Sequence, residues 1–320
     1  MSYLNTPYDD VCRTLVNDCR KLIIPVVNEV FDEDYTGDEQ IILNTNEIYL
    51  RQQDGAGDKR ITDSSFTIIG KEGASRYHLE CQSTTDGSML VRMYEYDSQI
   101  ALQEGILEKG ILNVNFPQSA ILYLRHTRNT PDVMKICINT PNGSVSYDVP
   151  VLKVKNYSVE SIFEKKLYFL IPFHIFAYEE SFKVIEESTE QLQALKETYG
   201  RIIQRLDELC LQGQLDEYTK KTICEMSETV LKHIAEKYEN IKEEVTKVMG
   251  GTVLEYEAKN ILRQGIEQGI EQGMEQGIEH GIELTLCSLV KKGLITVEKA
   301  AAELNLSVEE FQNKMKKIKV

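Results

Sequence analysis

The chain lacks tryptophan, has no Cys-x-x-Cys pair, and carries no proline after Pro172. It also lacks any excess of positive charge, with 36 Lys and Arg against 51 Asp and Glu and a net charge of −15. Each absence excludes something. Seven Cys, at 12, 19, 81, 137, 210, 224 and 287, form neither a disulfide framework nor a zinc-ligand spacing, which reads as reduced, cytoplasmic usage. The start, MSYLNTPYDD, has no basic and apolar segment of the secretory kind. The longest apolar run, Leu167–Tyr178, is too short to span a bilayer and contains Pro172 and His174. No phosphate-binding loop, dinucleotide fingerprint, Gly-x-Ser-x-Gly or His-Glu-x-x-His string occurs. The acidic balance argues against broad adhesion to nucleic acid, although a bound cation and a local basic groove can offset it at one site.

What is present divides the chain. All seven Pro lie at or before Pro172, and the remainder is rich in charged helix formers. The fold class expected is α/β, a mixed sheet flanked by helices over 1–160, followed by an all-α C-terminal region. Residues 7–31 predict a helix with Val11, Leu15, Leu22, Val26 and Val30 on its stripe and a break at Pro25. Strands are expected over 41–50, 61–69, 77–83, 120–124, 133–139 and 144–149, and a helix over 88–107. The Leu167–Phe173 stretch reads as core. Two long helical runs, 179–212 and 216–248, are expected to pair as an antiparallel hairpin within 161–250.

Over 251–283 the sequence carries the repeat GIEQ GIEQ GMEQ GIEH GIE. Gly at every fourth position weakens a helix by about 1 kcal/mol each relative to Ala, unless close helix packing offsets the loss. This makes the 265–283 segment either an oligomerisation helix, giving a homo-oligomer, or a solvated linker. The last module, 284–320, reads as short helices with Thr296 and Ser307 as N-caps. Its spacing also resembles a helix-turn-helix, with a helical cap or partner-binding module the commoner explanation.

The densest chemistry lies between Arg60 and Tyr96. Two β-rich runs joined through Gly70 and Gly73 predict an antiparallel hairpin. His78, Glu80 and Gln82 are spaced by two and share one strand face, whereas Leu79 and Cys81 point to the core side. Asp63 opens the preceding strand, where its carboxylate can stand beside Glu80. Two carboxylates on neighbouring strands make a hard-oxygen site of the kind that holds Mg²⁺. Taken singly, Asp63 reads as a turn acid and Glu80 as an exposed carboxylate paired with Arg76 or Arg92. His78 reads as a hydrogen-bonding neighbour rather than a ligand.

An Asp on one strand followed by Glu-x-Gln on the next resembles the PD-(D/E)xK nucleases. With the flanks TDSSF, HLECQST, Asp86, Met89, Arg92 and Tyr96, the string is similar to the recombination-promoting nucleases, also called PD-(D/E)xK nuclease family transposases. The resemblance covers roughly the first half of the chain. It implies a restriction-endonuclease-like core and a metal-dependent DNA endonuclease linked to recombination or mobile DNA. It implies that Asp63, Glu80 and the Cys81 carbonyl hold Mg²⁺ or Mn²⁺, with Gln82 in the place of the usual Lys. Glu29 then corresponds to an acidic residue near the metal, and Arg92, Tyr96 and Gln99 face the phosphate. The alternative is a nuclease-like protein that does not cut and acts through assembly or protein binding. An arginine, Arg76 or Arg92, filling the site would count against catalysis.

Overall fold

The apolar stripe of residues 7–31 folds as α1 (Pro7–Asp18) and α2 (Ile23–Phe31), joined by a 3-10 turn at Arg20–Leu22. Pro25 sits in the first turn of α2, where its missing N–H costs nothing. The helix ends at Asp32, whose φ of 56° is left-handed. The structure, a computed structural model, describes residues 7–44, 47–51, 57–61, 64–83, 87–103, 105–249 and part of 286–315, with the backbone only at 47–51 and 57–61.

Strand β1 (Gln40–Leu43) stops at Asn44, and β2 (Glu47–Arg51) pairs separately with β3 (Gly57–Ile61), so the expected 41–50 strand is two strands in two sheets. β4 (Ser64–Gly70) and β5 (Gly73–Gln82) form the expected hairpin, with Ser64 opposite Leu79. Helix α3 (Met89–Gln103) follows. A small hairpin of β6 (Ile106–Glu108) and β7 (Ile111–Asn113) comes next, turning at Lys109 and Gly110, which have φ of 51° and 82°. The expected helix over 88–107 therefore ends early: Gly105 closes it with a bond from its N–H to Leu102 O.

The chain then adds β8 (Gln118–Tyr123), β9 (Val133–Thr140) and β10 (Gly143–Lys153). The main sheet has six strands in the order β1-β4-β5-β8-β10-β9. It is mixed: β5, β8 and β10 run parallel, and the outer pairs are antiparallel. β10 changes partner at Pro150, pairing with β9 up to that residue and with β8 from Val151 onward. A proline, with no N–H to donate, suits the point of exchange.

One face of the sheet carries Phe66, Ile68, Tyr77, Leu79, Cys81, Leu122 and Leu152 into the main core, with α1 and α2. The other face packs Ile121, Tyr123 and Val149 against Met89 and Met93 of α3. Every element from Val159 to Val248 is helical: α4 (Val159–Glu164), a 3-10 segment over Tyr168–Ser181, α5 (Phe182–Glu187), α6 (Thr189–Leu211), α7 (Glu217–Ile234) and α8 (Glu239–Val248). The Leu167–Phe173 stretch is core, as expected, with Leu167, Phe169 and Phe173 fully buried. The two long runs do not form one hairpin. The second breaks at Ala235–Tyr238, α7 packs on α1 and the 3-10 segment, and α8 folds back on α6.

The chain forms two compact units, Met1–Gly251 and Thr252–Val320. The main core runs from Tyr8 to Val245, so the boundary expected near residue 160 falls inside one packed unit. In the second unit, α9 (Val297–Glu303) is capped by Thr296, whose hydroxyl accepts from Lys299 N at 3.4 Å. Cys287, Ala300, Ala301 and Phe311 make its small core. Ser307 and the 265–283 repeat lie outside the described residues. No helix among the described residues is long and apolar enough to cross a membrane.

Candidate functional site

The strand period sets the site. His78 and Glu80 project from the α3 face of β5, and Leu79 and Cys81 from the opposite one, as the sequence predicts. β5 is a central strand, parallel to β8, with Glu80 opposite Ile121 and Gln82 opposite Tyr123. Glu80 and Gln82 thus stand toward the carboxyl ends of two parallel strands, the position where open α/β sheets usually bind ligands. Leu124 N donates to Gln82 O at 2.9 Å and ties these ends together.

Behind Glu80 lies a buried polar chain. His78 is bonded through Nε2 to Glu80 Oε1 at 3.0 Å and through Nδ1 to Asp97 Oδ1 at 2.7 Å. Asp97 also accepts from Ser119 Oγ at 2.7 Å and from Tyr147 OH at 3.0 Å. His78 and Asp97 are 0% exposed and Glu80 is 3%. Burial lowers the His78 pKa, but the hydrogen bonds to Asp97 and Glu80 and their charges outweigh it and push the value up to about 9. Each ring nitrogen thus faces an acid oxygen, an arrangement that favours the protonated, doubly donating ring over the neutral one. This fixes one oxygen of Glu80, which is buried rather than exposed as the simplest reading has it.

Gln82 is engaged at both ends. Its Nε2 donates to Cys81 O at 2.9 Å, and its Oε1 accepts from Arg92 at 2.7 Å. Arg92 also approaches Met89 Sδ at 3.1 Å. Tyr96 is buried and meets the His78 ring edge-on at 5.9 Å. α3 therefore brings Arg92 and Tyr96 to the same side of the sheet as Glu80 and Gln82, while Gln99 is half-buried on the same helix. Arg76 instead donates to Ile100 O at 3.0 Å.

Asp63 and Asp86 lie outside the described residues; the neighbour of Asp63, Ser64, pairs with Leu79, the residue before Glu80. The structure does not bring Glu29 to Glu80. It sits on α2, whose Val26, Val27 and Val30 pack against Phe66, Tyr77 and Leu79 on the opposite side of the sheet. There Glu29 accepts from Lys165 Nζ at 2.6 Å and Tyr157 OH at 2.9 Å, at the edge of an open groove of about 1060 Å³. Its helical spacing from Val26 is correct, but a cation and a phenol from the segment after β10 capture its carboxylate.

No family model, curated protein or solved structure matches this chain. The Glu80 carboxylate and the Cys81 carbonyl are hard oxygens that fit Mg²⁺ or Mn²⁺ in type. Among the described residues, no group of three or more His, Cys, Asp and Glu is placed to hold a metal ion. The sequence reading missed Asp97, Ser119 and Tyr147. Asp97 had a legible signal: it falls on the α3 stripe of Met89, Met93, Ile100 and Ala101, and an acid on an apolar stripe needs buried partners.

Proposed function

We propose that this chain is a divalent-metal-dependent DNA endonuclease of the PD-(D/E)xK type on a restriction-endonuclease-like core. The observation that carries the reading is the placement of Glu80 and Gln82 on one face at the carboxyl end of a central strand, next to the strand that Asp63 precedes. In this reading Asp63, Glu80 and the Cys81 carbonyl hold Mg²⁺ or Mn²⁺. The bound cation supplies polarisation of the scissile phosphate and a water of lowered pKa. Gln82, having no charge, orients water or a phosphate oxygen through its amide. Arg92, hydrogen-bonded to the Gln82 Oε1, brings the positive charge that a Lys would otherwise give. His78 and Asp97 position Glu80 from behind and take no part at the phosphate. The recombination or mobile-DNA role implied by the resemblance belongs to this proposal.

A second reading has a specific observation in its favour. Cys81 O already accepts from Gln82, and Arg92 already occupies the other end of that amide. A site closed in this way suits a nuclease-like protein that does not cut and works through protein contacts.

Nicking of supercoiled plasmid with Mg²⁺ or Mn²⁺ separates the two. Cleavage should fall at least about 100-fold, the scale of losing one group that stabilises a transition state, in both Asp63→Ala and Glu80→Gln. Thermal melts of the same samples separate loss of activity from loss of fold. If folded wild type leaves every DNA form intact with either metal, the non-cutting reading replaces the first.

A further inference from the structure

Three groups beside Glu80 hold one another in sequence. Arg92 Nη2 donates to Gln82 Oε1 at 2.7 Å, and Gln82 Nε2 donates to Cys81 O at 2.9 Å. Gln82 O accepts from Leu124 N on the β8 side, so Cys81 O, one residue earlier, faces the opposite edge of β5. β4 runs along that edge and opens at Ser64, opposite Leu79, so Cys81 O reaches past the described start of β4. This is the carbonyl that the proposed metal site uses, and an amide N–H is aimed at it.

Both links oppose a cation at Cys81 O. The Gln82 N–H turns its positive end toward the oxygen. The Arg92 guanidinium, one hydrogen bond further out, adds a full positive charge beside it. Neither acceptor that Arg92 Nη2 meets is charged. Gln82 Oε1 is a neutral amide oxygen, and Met89 Sδ, at 3.1 Å, is a weak thioether acceptor. A phosphate oxygen binds a guanidinium roughly twice as strongly and accepts it in bidentate form. Arg92 and Gln82 are only half-buried, so each keeps an open side.

We propose that Arg92, Gln82 and Cys81 form a latch that couples DNA binding to metal binding. A backbone phosphate draws Arg92 off Gln82 and cancels its charge. The Gln82 amide then leaves Cys81 O, and that carbonyl opens to a divalent cation. The inference rests on the nuclease reading and adds regulation to the same site. Linkage makes the coupling reciprocal, so the cation in turn tightens the grip on DNA.

Mn²⁺ binding to the full chain, followed by the paramagnetic resonance signal of the free ion, tests this without cleavage. The protein is titrated alone and with a phosphorothioate DNA duplex, and binding to duplex alone is subtracted. Wild type should take Mn²⁺ at least about 10-fold more tightly with duplex than without, within the usual span of coupling between two sites. Arg92→Ala and Gln82→Ala should each bind Mn²⁺ more tightly than wild type without DNA, and gain less from the duplex. Gln82→Ala should do so while nicking plasmid less, a split that mere damage to the fold would not give. Equal Mn²⁺ affinity with and without duplex, in a wild type that nicks plasmid, overturns the latch and leaves the nuclease reading intact. Variants that bind Mn²⁺ no better than wild type in the absence of DNA overturn it as well. If no form of the protein binds Mn²⁺ even with duplex present, the latch and the nuclease reading fall together.

Discussion

Asp97 receives three hydrogen bonds from three different elements, and nothing else among the described residues joins α3, β5, β8 and β10 through one side chain. Asp97→Ala strands the His78 charge and two hydroxyls in a buried site and should cost about 3–5 kcal/mol. Tyr147→Phe removes a single donor and should cost about 1–2 kcal/mol. Urea unfolding of both variants tests the ranking; equal, small losses would contradict it. The strand half of this cluster was legible because a period of two places His78, Glu80 and Gln82 on one face. The helix half was not, because no short spacing links residue 97 to residues 78, 119 and 147. Glu29 shows the converse: its local spacing was read correctly, but its partners Tyr157 and Lys165 come more than a hundred residues later.

His174 is the opposite case from His78. It is 4% exposed, its Nδ1 has no hydrogen-bond partner, and the Tyr178 and Tyr199 rings flank it. Burial drives its pKa from 6.5 down to about 4, against a weak opposing pull from Glu160. A base whose folded pKa is depressed is protonated first in the unfolded chain, so stability is full above pH 6.5 and falls as pH drops toward 4. The loss amounts to about 3 kcal/mol. His174→Phe should flatten that part of the stability–pH curve. An unchanged slope between pH 6.5 and 4 would count against the assignment.

At the scale of elements, caps and turns decide where helices begin. Asp216 starts α7 by accepting from Thr219 N at 2.8 Å and Thr219 Oγ1 at 2.6 Å. Asp216→Ala should cost about 1 kcal/mol, read as a lowered denaturant midpoint with an unchanged slope. Ser188 caps α6 in the same way, through Gln191 N. Such signals are local, which is why Thr296 was identified in advance. Ile106 and Leu107, which open the β6–β7 hairpin, were read as the end of the 88–107 helix because they continue the apolar spacing of α3; the left-handed Lys109–Gly110 turn was the competing signal. The paired long helices failed for a different reason. Amphipathic stripes say that a face is buried but not against what, and α7 packs mainly on α1 and the buried 3-10 segment and only lightly on α6.

At the scale of the molecule, the α/β class and the mixed sheet were legible, and the unity of the first compact unit was not. The loss of proline after Pro172 marks a change in composition, while the core crosses it without a break. A fragment ending at residue 160 would expose the side of α1 on which α7 packs. It should show no cooperative thermal transition, whereas a fragment ending at residue 251 should melt in one. Differential scanning calorimetry of the two fragments decides the point.

The ring of Tyr8 packs on Phe176 at 5.0 Å and on His233 at 5.2 Å. Its last partner therefore leaves the ribosome more than two hundred residues after it does. At ~5–20 residues per second, α1 waits roughly 10 to 50 s with its apolar stripe uncovered. α1 is made long before its α7 side is buried, and until then the nascent chain presents an apolar stripe for chaperones to hold.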